Sequence, residues 1–242
     1  MENPSSHLKA VAQHRLFQEH PETWTKIAAY VREKKFDKDD VVLRHGDPAN
    51  HVWLVLQGWV KITRQTPDGK ETIIGLCTQG DILGEAALFS HANYPYHAES
   101  IIAGTELASI PGEIVRELII QNSSFSSSIM ALLNERVAQA QLKLEHMNTM
   151  SSAQRLGCFL LRLCNAQQQA ETQILQIPIE KHLLAAHLGM KPETLSRSQL
   201  QLKIAGVSVQ GSQVQVDSVA KLRDFVCNSC SESGSCETET AI

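Results

Sequence analysis

The sequence has few aromatic residues and no long apolar run. Aromatic side chains account for 5% of its 242 residues. No stretch approaches the roughly 18 to 20 apolar residues that a membrane helix needs, and the N-terminus MENPSSHLKAVAQH lacks the apolar segment of a signal peptide. These absences predict a soluble, cytoplasmic protein with no membrane partner. The length is enough for one large domain or two modest ones, which excludes a disulfide-stapled miniprotein.

The chain also has little net charge, but its charges are unevenly distributed. It carries 22 Lys and Arg against 26 Asp and Glu, a formal charge of −4. Residues 1–150 have 14 basic and 18 acidic side chains, residues 151–226 have 8 and 5, and residues 227–242 have 0 and 3. Ordinary scatter would explain a mildly basic segment equally well. If the chain binds a polyanion, this distribution places the contact in residues 151–226.

Residues 41–110 have the pattern of an antiparallel β-structure. Short runs of alternating or β-branched apolar residues are separated by glycine-containing turns every eight to twelve residues, as in HVWLVLQGWVKITRQ and ETIIGLCTQGD. Such spacing predicts a roll or barrel rather than βαβ units. Residues 4–33 are predicted to form one or two helices. After Pro111-Gly112 the apolar period changes from two to about 3.6, which marks the end of the sheet.

A long helix is predicted from Ser124 to Met147. Its apolar residues are spaced alternately three and four apart, as in the seam of a coiled coil. They are Met130, Leu133, Val137, Ala140, Leu144 and Met147. This stripe could pack on the chain's own β-structure, but it is narrower than the apolar face of an ordinary core helix. The pattern therefore favours dimerisation with a second copy. A hinge is predicted at residues 148–151, with Ser151 or Ser152 capping the next helix.

Residues 181–200 have the pattern of a helix-turn-helix. Gly189 is the turn glycine, and Leu184, Leu188, Met190 and Leu195 fall at positions expected to be buried. Pro192 suits the first position of the second helix. The exposed face would then carry side chains that can bond to base edges and phosphates in the major groove of DNA. They are Lys191, Glu193, Thr194, Ser196 and Arg197. Ser198 stands where such a helix normally buries an aliphatic residue, and VSVQGSQVQV predicts a two-stranded wing.

These motifs together resemble the Crp/Fnr family of transcription regulators over about residues 10–225. The resemblance rests on HGDPANHVWLVLQGWVKI, TPDGKETIIGL, QGDILGEAALF and PETLSR. It implies an α+β fold: an antiparallel β-roll of the cyclic-nucleotide-binding type, a dimerisation helix and a winged helix-turn-helix. The corresponding segments are 1–123 (effector-sensing β-roll with N-terminal helices), 124–150 (dimerisation helix and hinge), 151–226 (DNA-binding domain) and 227–242 (acidic cysteine tail). The resemblance also implies a homodimer that binds two-fold symmetric DNA with TTGA-like half-sites, and RNA polymerase as a partner.

The effector pocket that this resemblance implies includes Gly84, Glu85, Tyr96 and His97. Family members that bind a cyclic nucleotide use a segment that opens with Gly-Glu and closes with Arg-Ser, whose arginine neutralises the phosphate. Here the segment closes with YPYHA, and no arginine lies between Arg64 and Arg116. A buried phosphate without a counter-charge is costly, so cyclic AMP is not the expected effector.

The tail contains Cys227, Cys230 and Cys236, a C-x2-C-x5-C array among small polar residues. Thiolates are preferred ligands of iron-sulfur clusters and of zinc. An inert tail and a thiol-disulfide pair are the alternatives. The resemblance to Fnr proteins with C-terminal cysteines implies a 4Fe-4S cluster that senses oxygen, nitric oxide or redox state. Its fourth ligand would be Glu145 or His146, or else Cys158 or Cys164.

The sequence also allows a second cofactor and a second function. Haem is an alternative cofactor, with His14, His20, His51 and His97 as conceivable ligands. A thiol-disulfide enzyme is the rival function, although the βαβ setting of such enzymes is missing. Of the remaining cysteines, Cys77 is predicted to be a core residue, whereas one of Cys158 and Cys164 is predicted to be buried and the other partly exposed.

Overall fold

The computed structural model describes residues 6–69, 71–89, 92–167 and 172–227. The chain forms two compact units, Met1–Val137 and Ala138–Ile242. Cys230 and Cys236 lie outside the described residues. Within the described ranges, no helix combines the length and the hydropathy that crossing a bilayer requires.

The first unit begins with short helices and continues as a β-roll. The helices are α1 (Ser6–Gln13), α2 (Arg15–Gln18) and α3 (Pro21–Ile27), followed by a 3-10 turn at Ala28–Tyr30. The strands are β1 (Arg32–Phe36), β2 (Val41–Leu43), β3 (His51–Gln57), β4 (Val60–Gln65), β5 (Glu71–Cys77), β6 (Ile82–Leu83), β7 (His97–Ser100) and β8 (Thr105–Pro111). A 3-10 helix at Glu85–Leu88 follows β6.

These strands form two antiparallel sheets, ordered β1-β8-β3-β6 and β2-β7-β4-β5. Opposite pairs such as Val52 with Ile110 and Leu54 with Ala108 hold β3 against β8. Because side chains alternate between the faces of a strand, these apolar residues point into a common core. The antiparallel roll predicted from the period-two pattern and the α+β fold implied by the family resemblance are both confirmed.

Two helices follow the roll, α4 (Gly112–Gln121) and α5 (Ser123–Thr149). Asn122 separates them: its backbone is extended, and its side-chain oxygen accepts a hydrogen bond from the Phe125 amide at 3.1 Å. An asparagine at this position satisfies an amide that has no partner within the helix, which fixes where α5 begins. The long helix predicted at residues 124–147 is confirmed.

The second unit contains the last part of α5 and a winged helix-turn-helix. Its helices are α6 (Ser152–Gln167), α7 (Lys181–His187), α8 (Pro192–Gln201) and α9 (Val219–Cys227), with a 3-10 helix at Leu202–Ala205. Strands β9 (Gln173–Gln176), β10 (Val207–Gln210) and β11 (Gln213–Val216) form a sheet in the order β10-β11-β9. Ser151 and Gln154 cap α6 reciprocally, since each side chain bonds to the other residue's amide.

The prediction that one of Cys158 and Cys164 is partly exposed is wrong. Cys158 is 6% exposed and Cys164 is 1% exposed. Helix α6 packs against both α8 and α9, so side chains on different faces of the same helix are enclosed. Burial raises the pKa of the Cys164 thiol to about 11. Cys77, on β5, is buried as predicted.

Candidate functional site

Helices α7 and α8 form the helix-turn-helix, and its packing explains which side of α8 stays exposed. Ala185 and Leu195 are fully buried between the helices. Ser198 is also buried, and its hydroxyl donates to the Thr194 carbonyl at 2.9 Å. A polar residue is tolerated at this normally aliphatic position because its hydrogen bond is made within the helix. Met190, predicted to be buried, is only half-buried at the turn.

The candidate DNA-reading residues lie at the start of α8. Glu193, Ser196 and Arg197 are exposed. Their spacing of three and four places them on one face of the helix. Lys191, which precedes Pro192, is also exposed, whereas Thr194 is half-buried. This face therefore presents three kinds of group to DNA. The carboxylate suits cytosine and the guanidinium suits guanine, whereas the hydroxyl can bond to a base edge or to a phosphate.

The wing beside this helix has an uncharged outer surface. Strand β11 pairs with β10 on one side and with β9 on the other. Val214 and Val216 face the core, and the residues between them are exposed. The outward positions of the three strands are Ile174, Gln176, Ser208, Gln210, Gln213 and Gln215. Amide and hydroxyl groups of this kind can bond to DNA phosphates without adding positive charge.

The apolar stripe of α5 lies mainly on the exposed surface. Met130, Val137, Leu144 and Met147 are 68%, 56%, 63% and 51% exposed, and Ala140 is exposed as well. Leu133 alone of the stripe is half-buried and packs on the core of the first unit. The residues that α5 buries within the chain, such as Ile129, Leu132 and Leu142, occupy a different face.

In the roll, three of the four predicted effector-pocket residues contact one another. The Gly84 amide donates to the Tyr96 hydroxyl at 2.8 Å, and that hydroxyl donates to Glu85 Oε2 at 2.8 Å. A side chain at Gly84 would collide with the backbone, since a Cβ there would lie 2.7 Å from the His51 carbonyl oxygen. Gly84 is therefore required by close backbone approach. Burial and the neighbouring Glu85 raise the pKa of Tyr96, which keeps its hydroxyl protonated.

Arg136 completes this cluster and was not predicted from the sequence. Its Nη1 lies 2.9 Å from Glu85 Oε1, and its Nη2 donates to the Ile82 carbonyl. Burial opposes the charge of the guanidinium, but Glu85 together with Cys77, Asp81 and Tyr96 outweighs this effect and raises the pKa of Arg136. No local motif could have identified Arg136, because it lies on α5, far from β6 in sequence.

His97 makes its contacts elsewhere. Its Nε2 lies 2.7 Å from Glu99 Oε1, and Lys61 Nζ lies 2.7 Å from the other carboxylate oxygen. Burial opposes ionisation of Glu99, but the bonds from Lys61 and His97 outweigh it and lower the pKa of the carboxyl. The predicted pocket is therefore divided into a cluster of Gly84, Glu85 and Tyr96 and a separate ion-pair group around Glu99.

The candidate metal ligands are only partly described. Cys227 is half-buried at the end of α9, and Glu145 is half-buried near the end of α5. His146 is buried, with its Nδ1 4.0 Å from Cys158 Sγ. Among the described residues, no group of three or more His, Cys, Asp or Glu side chains has the arrangement of a metal site.

The conceivable haem ligands other than His97 are engaged in the first unit. His14 Nε2 lies 3.2 Å from the Gly80 carbonyl oxygen, and His20 Nε2 lies 2.9 Å from Ser128 Oγ. Burial lowers the pKa of His14. The ring of His51 packs beside that of Trp53.

Comparison with known proteins agrees with this architecture. Residues 33–122 match the cyclic nucleotide-binding domain family, and residues 154–225 match the Crp-like helix-turn-helix domain family. The global nitrogen regulator of Synechococcus elongatus is 26% identical over 133 residues, which make up 54% of this chain and 60% of that protein. The anaerobic regulatory protein of Pasteurella multocida is 23% identical over 194 residues, 79% of this chain and 70% of that protein. A solved structure from Ruegeria pomeroyi has a TM-score of 0.71 at 27% identity and covers 93% of this chain and 99% of that one.

A β-roll, a long helix and a winged helix-turn-helix with an exposed polar face define a DNA-binding transcription regulator. The chain belongs to the Crp/Fnr family. This family consists of regulators and not of enzymes, so the prediction of a non-enzymatic protein is confirmed and a thiol-disulfide enzyme is excluded.

Proposed function

We propose that the protein is a cytoplasmic homodimer that binds two-fold symmetric DNA with TTGA-like half-sites and acts on RNA polymerase. The observation that carries this proposal is the exposed face of Glu193, Ser196 and Arg197 on α8. Arg197 can donate two hydrogen bonds to a guanine, and Glu193 can accept from the N4 amine of a cytosine. A TTGA half-site presents a guanine on one strand and a cytosine on the other. Lys191 adds a charge for a phosphate.

The first experiment measures sequence discrimination by Arg197. Binding to a duplex with two TTGA half-sites is compared with binding to one in which each G·C pair is replaced by A·T. We expect Arg197→Ala to remove about 1–3 kcal/mol of discrimination per half-site, because each bidentate arginine-guanine contact is worth that amount. Lys221→Ala is the matched control, because it removes one positive charge from an exposed position on α9. An Arg197→Ala protein that discriminates as well as the control contradicts the proposed reading.

For the signal, we propose a 4Fe-4S cluster held by Cys227, Cys230 and Cys236 and completed by Glu145 or His146, through which the protein responds to oxygen, nitric oxide or redox state. The position of Cys227 supports this proposal. Cys227 ends α9, and α9 packs against α6, the helix that follows the hinge. Of the two fourth ligands, Glu145 is the better fit, because the imidazole of His146 is enclosed beside Cys158. A cluster supplies redox and oxygen sensitivity. The name of the Pasteurella multocida relative, an anaerobic regulatory protein, agrees with such a signal.

The cluster proposal is tested by the iron and acid-labile sulfide of protein purified without oxygen. We expect equal amounts of both, and their loss in Cys227→Ser. Iron binding should weaken in Glu145→Ala and persist in His146→Ala. A colourless, iron-free preparation overturns the proposal, and a Soret band would favour haem instead.

Cyclic AMP is not the proposed effector. Tyr96 occupies the end of the segment that closes the pocket, and its hydroxyl is bonded to Glu85. The cation at this site, Arg136, is already paired with Glu85. A cyclic phosphate would therefore compete with a carboxylate for its counter-charge.

A further inference from the structure

Arg155 joins three segments of the second unit. It lies in the first turn of α6, and its guanidinium donates in three directions. Nε donates to the Leu188 carbonyl at 3.1 Å, Nη1 to the Met150 carbonyl at 2.9 Å and Nη2 to the Ser152 hydroxyl at 3.5 Å. Leu188 directly follows α7 and precedes the turn of the helix-turn-helix, and Met150 directly follows α5.

Because Arg155 bonds to backbone carbonyls, it connects the end of α5 to the end of α7 and, among the described residues, does not form an ion pair with a carboxylate. Carbonyls at the end of a helix have no partner within it, so both Leu188 and Met150 need an external donor. A guanidinium presents its donors in a rigid planar fork, and satisfying both carbonyls fixes their relative position. Within the described part of the chain, none of its hydrogen-bond acceptors is a carboxylate.

A second contact connects the same segments independently. The Met147 Cε atom lies 3.2 Å from the position that a Cβ on Gly189 would occupy. Gly189 has a positive φ of 64°, a conformation that glycine adopts without strain. The last turn of α5 thus packs directly on the turn that leads into α8. Because Met147 belongs to the exposed apolar stripe, this contact lies next to the proposed dimer seam.

We propose that Arg155 is a positioning residue that sets the angle of α8 relative to the end of α5. It thereby sets the separation of half-sites that the protein accepts. This inference rests on the proposed homodimer. In a dimer formed through α5, two copies of the Arg155 link would place two α8 helices at a defined distance. Dimers of helix-turn-helix proteins bind half-sites about one turn of the DNA helix apart, or 34–36 Å. A small change in the angle of α8 therefore alters the preferred separation of the half-sites.

The test varies the spacing rather than the sequence of the site. Duplexes carry two identical half-sites whose separation changes in steps of one base pair, and binding is measured for the wild type, Arg155→Lys, Arg155→Met and Lys221→Met. Lysine keeps the charge but loses the fork, and methionine loses both. We expect the wild type and Lys221→Met to prefer one separation. In Arg155→Met that preference should fall about tenfold, the value for losing two hydrogen bonds, and in Arg155→Lys it should also fall, because an ammonium lacks the planar fork that holds both carbonyls. Binding to a single half-site should change less than about twofold, because the face of α8 is intact.

Each outcome decides the role of Arg155. Folded variants that keep the wild-type preference overturn it. If Arg155→Met does not fold, Arg155→Lys decides. If neither folds where Lys221→Met does, Arg155 is needed for folding, and the positioning role is likewise overturned. A wild-type protein that shows no preference for any separation contradicts the two-fold dimer, and the role of Arg155 falls with it.

Discussion

At the scale of single residues, burial changes the ionisation of His187. Its ring packs edge-on against Phe159 at 5.8 Å between centroids. Its Nδ1 is buried and, among the described groups, has no hydrogen-bond partner. Burial, with added repulsion from Lys143 on α5 and Arg162 on α6, lowers the pKa of His187 to about 3. The imidazole is therefore neutral in the folded protein, and its role at the end of α7 is packing.

This shift predicts how stability depends on pH. The pKa of His187 in the unfolded chain is near the ordinary 6.5, above its folded value of about 3. Between these values the unfolded chain binds a proton that the folded chain excludes. The stabilisation is complete above pH 6.5, and the free energy of unfolding should fall by up to about 1.4 kcal/mol per pH unit as the pH decreases toward 3. Urea denaturation at several pH values measures this slope.

The matched variants for that measurement lie in one helix. His187→Leu should show a shallower dependence on pH, because it has no group to titrate. His182→Leu is the control for removing a histidine from the same helix, because the side chain of His182 is 63% exposed and lies 3.4 Å from Glu180. Equal slopes in the wild type and His187→Leu would show that the burial of this imidazole does not control acid stability.

At the scale of elements, the packing of α6 against α9 depends on a glycine in mid-helix. A Cβ on Gly157 would lie 2.7 Å from Val226 Cγ2 and within 3.3 Å of side-chain atoms of Leu202 and Leu222. In a helix interior glycine is less stable than alanine by about 0.5–1 kcal/mol. The close approach of α9, the helix that ends at Cys227, therefore explains why a glycine occupies position 157.

Gly157→Ala tests which effect is larger. We expect a net destabilisation of about 1–3 kcal/mol, because overpacking of a tight contact exceeds the gain in helix propensity. Val226→Ala removes the colliding methyl groups, so the double variant should be more stable than the sum of the two single changes predicts. Thermal or urea denaturation measures all three. If Gly157→Ala is more stable than the wild type, the helices are free to separate at this point.

The elements also show what sequence can and cannot predict. The alternation in HVWLVLQ predicts the β-roll, and the pair Gly189 and Pro192 predicts the helix-turn-helix. Each pattern acts through local geometry. The link made by Arg155 reaches a carbonyl 33 residues away, and Arg136 reaches one 54 residues away. Neither has a local signature. The burial of both Cys158 and Cys164 also follows from tertiary packing on two faces of α6.

At the scale of the whole molecule, the two alternatives for the α5 stripe differ in what they bury. Packing within the chain would enclose the stripe. In the structure, the side chains that α5 buries within the chain lie on another face and include Ile129, Leu132 and Leu142. The stripe residues Met130, Val137, Leu144 and Met147 remain exposed. Large apolar side chains aligned at spacings of three and four along a 27-residue helix favour burial against a second copy.

Leu144→Glu tests the dimer with the least effect on the fold of one chain. Because Leu144 is exposed in the single chain, the substitution should not change the secondary structure or the unfolding of a monomer. In a dimer it would bring two carboxylates together in an apolar seam, so we expect the dissociation constant to rise about a hundredfold or more. Analytical ultracentrifugation measures this change. Gln141→Glu adds the same charge at an exposed position off the stripe and should remain dimeric. Identical association of the two variants would place the dimer contact elsewhere. A monomeric Leu144→Glu protein should still bind a single half-site through α8, but it should lose its preference for paired sites.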